Sequence, residues 1–194
     1  MKRVLIACEE SQRVCIAFRK LGFEAYSADI QDCSGGHPEW HIKGDCLPLL
    51  NEKWDLVIAH PPCTYFSCAG VRWFKTDNER INKMHEMEKF FLEFVRYGEN
   101  GNKICIENVR FHKYVNLPKY TQEIQPFMFG EPYKKATRLW LYNLPKLKPT
   151  NIVQPKYLWV SASNYGGICC KAKDRAKTFK GIAQAMAEQW GGII

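Results

Sequence analysis

The sequence contains no apolar stretch that approaches the ~18 residues needed for a membrane-spanning helix. Near its beginning, only residues 4–8 form an apolar run before Glu9 and Glu10, which is too short for the apolar segment of a secretory signal. No internal repeat or low-complexity tract occurs in the 194 residues. These absences predict a cytoplasmic globular protein with no membrane partner.

The cysteines do not form the even, regularly spaced set that a secreted disulfide framework requires. There are nine of them, scattered along the chain, which is typical of free thiols in a reducing compartment. Cys33, His37, His41 and Cys46 are residue types that bind zinc, but they lack the close C-x-x-C pair of a structural site. We therefore predict no metal.

Acidic residues become scarce in the second half of the chain. Residues 1–100 contain 13 basic and 15 acidic residues, whereas residues 101–194 contain 15 basic and 5 acidic residues. The formal net charge of +8 therefore arises entirely after residue 100. A basic surface there would suit an anionic partner such as nucleic acid, although a solvated basic face explains the charge equally well.

Short apolar runs alternate with helical patterns, which predicts an α/β fold with a mostly parallel sheet. The predicted strands cover residues 4–7, 24–29, 54–59, 103–106 and 136–142. The predicted helices cover about residues 11–21, 77–100 and 178–190. Ser11 and Asp77 are the predicted helix caps, Gly22 is predicted to follow the first helix, and residues 30–45 are predicted to be a loop.

Ligands of parallel α/β sheets bind outside the carboxyl ends of the strands. The residues expected at that edge are Cys8 to Ser11, Asp29, Cys63, and Glu107 with Asn108. Because all of these strands are predicted to run in the same direction, the residues that follow them should lie on one rim.

Cys63 follows two prolines, which fix the backbone φ angle and remove two N–H donors. A stiff loop at the ligand-binding rim suits a nucleophile, provided that its surroundings stabilise the thiolate. Glu107, at the end of the next strand, is a candidate acid or hydrogen-bond partner. An inert buried cysteine and a surface glutamate remain the alternatives.

Together these segments resemble the DNA cytosine-5 methyltransferases, and most closely the short phage-type members without a full target-recognition domain. With Pro62, residues 63–70 (CTYFSCAG) fit the family pattern P-C-x-x-F-S-x-x-G, and residues 107–109 match its Glu-Asn-Val motif. Residues 177–187 (KTFKGIAQAMA) resemble its closing motif. The resemblance implies one Rossmann-like class I methyltransferase domain over residues 1–194, with helices on both faces of the sheet.

The resemblance also implies an activity, which is methyl transfer from S-adenosylmethionine to C5 of cytosine in DNA. Single-stranded or deformed DNA would be favoured, because the target base must leave the helical stack. The implied catalytic residues are Cys63, Glu107 and Arg138. The implied cofactor-binding residues are Cys8, Glu9, Glu10, Asp29, Asp45, Pro61 and Gly181. The implied substrate-binding residues are Pro62, Ser67, Asn108, Lys135, Lys171 and Lys173.

Two features of the sequence differ from the family pattern. Residues 6–11 contain no glycine, whereas the family has a glycine-rich loop here. Residues 145–175 are the only segment available as a reduced substrate-recognition region. Lysines and aromatic residues are interspersed there, which suits either contact with nucleic acid or a packed loop with solvated lysines. Two alternatives therefore stay open. One is the same chemistry, or another one-carbon transfer, on a free pyrimidine nucleotide, and the other is a catalytically silent nucleic-acid-binding protein.

Overall fold

A seven-stranded sheet forms the centre of the computed structural model, which describes residues 1–68, 71, 77–158 and 172–194. The strands are β1 (Arg3–Ala7), β2 (Glu24–Asp29), β3 (His41–Lys43), β4 (Leu56–Ala59), β5 (Ile104–Val109), β6 (Gln122–Ile124), β7 (Tyr133–Lys134), β8 (Thr137–Tyr142) and β9 (Tyr157–Leu158). The order in the main sheet is β3-β2-β1-β4-β5-β8-β6, and β7 pairs with β9 separately.

The main sheet is mostly parallel, which confirms the predicted α/β class. The strands β3, β2, β1, β4 and β5 are parallel neighbours, while β8 is antiparallel to both β5 and β6. The order reverses between β1 and β4, so the carboxyl ends of these two strands border the crevice where α/β sheets bind ligands.

Helices pack on both faces of this sheet, as predicted. They are α1 (Arg13–Lys20), α2 (Asn78–Glu99), α3 (Ala172–Ala176) and α4 (Lys180–Gly191). In β1, the alternating side chains Val4 and Ile6 join the core beneath α1 and α4, whereas Leu5 and Ala7 join the core beneath α2. Within the described part of the chain, no helix is long and apolar enough to cross a membrane.

Two predicted helix boundaries are confirmed. Asp77 is the N-cap of α2, and its carboxylate accepts a hydrogen bond from the Arg80 backbone N–H at 2.9 Å. Gly22 follows α1 with φ of +85°, a left-handed conformation that glycine adopts without steric cost.

The segment predicted as a loop over residues 30–45 contains regular structure. A 3₁₀ helix covers Pro38–Trp40 and the edge strand β3 follows it, paired in parallel with β2. The prediction failed because β3 has only three residues and is not fully buried, so it lacks the apolar run by which the central strands are recognised.

The predicted cap of α1 is wrong. Gln12, in a left-handed conformation with φ of 56°, occupies the N-cap position, and its side chain does not cap the helix. The cap comes instead from Glu9, whose two carboxylate oxygens accept the backbone N–H groups of Val14 at 2.7 Å and Cys15 at 3.2 Å. Because an anionic group is favourable at a helix N-terminus, Glu9 stabilises the start of α1.

Glu9→Ala should therefore lower the free energy of unfolding. Two N–H groups at a buried helix start would lose their acceptor, which costs about 1 to 3 kcal/mol. Chemical denaturation followed by circular dichroism measures the change. Glu86→Ala, on the exposed side of α2, is the control and should stay within about 0.5 kcal/mol of the wild type. Equal effects of the two substitutions would contradict the capping role of Glu9.

Candidate active site

The loop that carries Cys63 leaves β4 and turns sharply. The His60 backbone N–H donates to the Ala7 carbonyl at 2.9 Å, so the chain stays attached to β1 for one residue beyond the strand. After the two prolines, the backbone N–H groups of Phe66 and Ser67 donate to the Cys63 carbonyl at 3.0 and 3.1 Å. These bonds close a turn that begins at Cys63.

The chain that follows β5 holds this loop in place. Asn108 Nδ2 donates to the Pro61 carbonyl at 2.8 Å, and the His112 backbone N–H donates to the Phe66 carbonyl at 3.0 Å. Ser67 forms an isolated antiparallel bridge with Phe111. Asn108, a predicted substrate-binding residue, is only 2% exposed. Its hydrogen bond therefore helps to position the loop that carries Cys63.

Glu107 forms a buried pair with His60. His60 Nδ1 lies 3.0 Å from Glu107 Oε2, and the two side chains are 10% and 15% exposed. Burial alone would raise the pKa of Glu107, but the hydrogen bond from His60 and the charges of His60 and Lys135 outweigh it and lower that pKa. Glu107 is thus a buried carboxylate at the rim rather than a surface glutamate.

Cys63 is half-buried beside this pair. Burial and the charge of Glu107 raise the pKa of its thiol above the ordinary value of 9.0, while Lys135 and Arg175 oppose the rise. Of the predicted site residues, the structure therefore brings Cys63, Glu107 and Lys135 together. His60 is the member of this group to which the sequence analysis assigned no role.

Lys135 links the pair to the C-terminal part of the chain. Its ammonium group donates to the Arg175 carbonyl at 2.7 Å and lies 5.8 Å from the centre of the Phe179 ring. A small cavity adjoins it, lined by Glu107, Lys135, Thr137, Ala176, Thr178, Phe179 and Ile182.

The structure does not bring Arg138, a predicted catalytic residue, to Glu107. In the pairing of β5 with β8, Arg138 is opposite Asn108, one position along from Glu107, so the two side chains emerge on opposite faces of the sheet. Arg138 instead donates to the Glu123 carboxylate at 3.1 Å and stacks on Tyr120, with the guanidinium 4.3 Å from the ring centre.

Cys8, Asp29 and Asp45 lie at one part of the rim. Cys8 has φ of 58°, and its sulfur is 3.6 Å from that of Cys46. The hydrogen bond with Cys46 and burial raise the pKa of the Cys8 thiol, and the nearby carboxylates of Asp29 and Asp45 raise it further. These two carboxylates also accept backbone N–H groups two residues further on, from Gln31 at 2.9 Å and from Leu47 at 3.0 Å.

The other predicted cofactor residues are placed differently. Glu9 is 4% exposed and has both oxygens on the α1 backbone, so it does not extend into the rim. Gly181 packs directly against the Phe129 carbonyl, where the methyl group of an alanine would overlap with the oxygen. Glu10 is half-buried, and Pro61 is buried with its carbonyl bonded to Asn108.

The substrate residues predicted from the basic second half are only partly described. Pro62 is exposed and Ser67 is half-buried beside Cys63, whereas Lys171 and the side chain of Lys173 lie outside the described residues. Within residues 145–175, the part from 145 to 158 is described, and its three lysines, Lys146, Lys148 and Lys156, are exposed.

The residues considered as zinc ligands contact other groups. The His37 ring stacks on Trp40 with centres 3.8 Å apart, and His41 Nδ1 lies 2.9 Å from the Ser27 hydroxyl oxygen. Cys46 is the neighbour of Cys8. In the part of the chain that the structure describes, no group of three or more His, Cys, Asp and Glu side chains is arranged to hold a metal ion.

One solved structure with a similar fold is that of a proposed DNA modification methyltransferase encoded within a prophage of E. coli. The TM-score is 0.51 at 14% sequence identity, and the match covers 79% of this chain and 52% of the other. The chain thus spans about half the length of that protein. No protein-family model matches the chain, and no curated protein is significantly similar to it. At this level of identity, the two proteins share a fold.

The reactivity of Cys63 should depend steeply on pH. Because burial and Glu107 raise the pKa of its thiol above 9.0, the thiol is protonated at neutral pH, and the thiolate appears only as the pH rises through that raised value. Alkylation with iodoacetamide, mapped by mass spectrometry, should therefore be slow at pH ~7.5 and still accelerate above pH ~9. Cys68, exposed on the same loop, provides the internal reference. Maximal labelling of Cys63 at neutral pH would contradict this environment.

Gly181→Ala should destabilise the fold. Its methyl group would collide with the Phe129 carbonyl at the start of α4, and overpacking of this kind costs about 1 to 3 kcal/mol. Gly192→Ala is the matched control, because Gly192 has φ of −70° and an added methyl group meets only ordinary contacts. Thermal unfolding of both variants measures the difference. Equal melting temperatures would contradict a packing role for Gly181.

Proposed function

We propose that this protein transfers a methyl group from S-adenosylmethionine to C5 of cytosine in DNA, through a covalent bond between Cys63 and C6. The observation that carries the proposal is the convergence of Cys63 and Glu107 at the carboxyl edge of the parallel sheet. Asn108 donates to the Pro61 carbonyl at 2.8 Å and His60 lies 3.0 Å from Glu107, so the loop that carries Cys63 leaves the sheet beside Glu107, whose charge raises the pKa of the Cys63 thiol. The sequence pattern around both residues, and a fold shared with a proposed DNA modification methyltransferase, support the same conclusion.

A thiol and a carboxyl group have complementary tasks in this reaction. C5 of cytosine is a weak nucleophile, and addition of the Cys63 thiolate to C6 converts the ring into an enamine whose C5 attacks an electrophile. Negative charge then develops on the ring, and a proton donated by Glu107 to N3 neutralises it. Loss of the C5 proton to water and departure of the Cys63 thiolate restore the aromatic ring, and the proton on N3 returns to Glu107.

The rim around Asp29 and Asp45 suits the methyl donor. S-adenosylmethionine, when bound, supplies the electrophilic methyl group. Its ribose hydroxyls and adenine amino group are hydrogen-bond donors. The carboxylates of Asp29, at the end of β2, and of Asp45, just after β3, are therefore suitable acceptors. We assign Asp29 to the ribose, Asp45 to the adenine and Cys8 to the wall between them. We leave Glu9 and Gly181 out of this set because their contacts are structural.

The charge distribution supports an anionic substrate. The excess of basic residues lies after residue 100, and Lys135 from that half lies beside Glu107. This lysine is suited to a phosphate or to the exocyclic oxygen of a pyrimidine, so the same site also fits a free pyrimidine nucleotide. We favour DNA because Lys156 is exposed next to the β7–β9 pair that leads into Lys135, and it adds basic charge beyond what a single nucleotide would contact.

DNA that carries 5-fluorocytosine tests the proposal. Fluorine at C5 cannot leave as a cation, so the reaction should stop at the covalent stage and yield a protein–DNA adduct visible as a band shift on a denaturing gel. Formation of the adduct should require S-adenosylmethionine and should be abolished in Cys63→Ala. Cys68→Ala, which removes an exposed thiol from the same loop, is the matched control and should form the adduct normally.

Three outcomes would change the assignment. An adduct that persists in Cys63→Ala would exclude Cys63 as the nucleophile. Methylation of deoxycytidine monophosphate without methylation of single- or double-stranded DNA would move the function to a free nucleotide. Binding of DNA with no methyl transfer to either substrate would favour a catalytically silent nucleic-acid-binding protein.

A further inference from the structure

His60 is a buried ionisable group for which the proposed chemistry provides no task. Its Nδ1 atom lies 3.0 Å from Glu107 Oε2, and its side chain is 10% exposed. The other ring nitrogen, Nε2, is buried and has no hydrogen-bond partner among the described residues. A buried polar atom without a partner is energetically costly. The hydrogen bond between Nδ1 and Glu107 is therefore the favourable contact that offsets the burial of a histidine at this position.

The charges around His60 come from several elements. Burial alone would lower the pKa of His60, but the hydrogen bond and charge of Glu107, together with the charge of Glu9, outweigh it and raise that pKa above its ordinary value of 6.5. Lys135 acts in the opposite direction. Among the described residues, the charges of Glu107 and Arg175 act on the thiol of Cys63, and the charge of Arg13 acts on Glu9.

The same pair creates a difficulty for Glu107 as an acid. His60 and Lys135 lower the pKa of Glu107 from 4.5, so the carboxyl group is ionised at neutral pH. An ionised carboxylate accepts hydrogen bonds but has no proton to give to N3 of a ring. The proton must therefore come from a neighbour, and the hydrogen-bonded neighbour is His60.

We propose that His60 is a positioning residue that orients the Glu107 carboxylate and resupplies it with the proton that is passed to N3 of the pyrimidine. The inference rests on the proposed function and deepens it. The Nδ1 proton of the imidazolium first moves to Glu107 Oε2, and the neutral carboxyl group formed in this way then gives a proton to N3. His60 ends neutral and Glu107 ends as a carboxylate, and the transfer reverses when N3 loses its proton at the end of the reaction.

The charge state of His60 can be measured without any substrate. Proton and nitrogen NMR of the histidine rings should show that His60 titrates with a pKa above 6.5, so that a larger fraction of it is imidazolium than of a free histidine at the same pH. In Glu107→Gln, the hydrogen bond to a charged partner is lost while burial remains, so the pKa of His60 should fall by about one unit or more. An unchanged pKa in this variant would overturn the pairing.

The role in turnover is tested by His60→Asn. The asparagine amide can still donate a hydrogen bond from about the position of Nδ1, but it carries no proton to transfer. We expect methyl transfer to fall about 100-fold at pH ~8. The alkaline limb of the pH–rate profile should also move to lower pH, because Glu107 must then take its proton from solvent. A merely structural role would lower the rate equally at every pH.

The chain offers a matched control in a second histidine–glutamate pair. His85 Nδ1 lies 2.8 Å from Glu88 Oε2 on α2, outside the candidate site, so His85→Asn should leave both rate and profile unchanged. An active wild type whose His60→Asn variant keeps its rate and profile would overturn the role of His60 alone. A wild type that transfers no methyl group to any pyrimidine at any pH would overturn the proposed function, and the proton supply with it.

Discussion

The parallel pairing of β4 with β5 fixes the positions of the groups in the candidate active site. Ala59 is in register with Ile106, so His60, which follows β4, and Glu107, which is still within β5, lie at the same level. The following pair is also joined, because Asn108 donates to the Pro61 carbonyl at 2.8 Å. The distance between the His60 and Glu107 side chains is therefore set by the hydrogen bonds between β4 and β5. These bonds hold the backbone more rigidly than a surface loop would. The turn at Cys63 begins from this fixed point.

Burial then determines what these groups can do. A carboxylate removed from water needs a partner, and Glu9, the half-buried Glu131 and Glu107 find different ones. Glu9 uses the backbone N–H groups at the start of α1, Glu131 accepts the Lys180 N–H at the start of α4, and Glu107 uses a side chain. At the helix starts, backbone N–H groups hold the side chains of Glu9 and Glu131 in place. Only the carboxylate that is paired with another titratable group can exchange a proton with it.

The sequence was most informative where strands are buried on both faces. The prediction for β1 differs from the structure by one residue, because its continuous apolar run identifies such a strand. The predicted limits of β2 are also those of the structure, although that strand is only partly buried. Properties that depend on register were not accessible. Arg138 was assigned to the site through the family resemblance. Side chains alternate along β8, however, and this places Arg138 on the sheet face opposite Glu107. Likewise, Ser11 was the local choice for a cap, while the carboxylate of Glu9 reaches the same N–H groups from outside the helix.

A signal for the missing partner was nevertheless present in the chain. His60 follows the last apolar residue of β4, and Glu107 follows the apolar run Ile104–Ile106 of β5. Cys8 and Asp29 likewise follow Ala7 of β1 and Ala28 of β2, which are paired in register. In a parallel sheet, such residues on neighbouring strands lie at about the same level, because burial ends for both strands at the same edge of the core. Neighbouring parallel strands thus bring the polar residues at their carboxyl ends close together. An ionisable residue among them therefore has its environment set by the adjacent strand as much as by its own loop, and this is why Glu107 cannot be understood without His60.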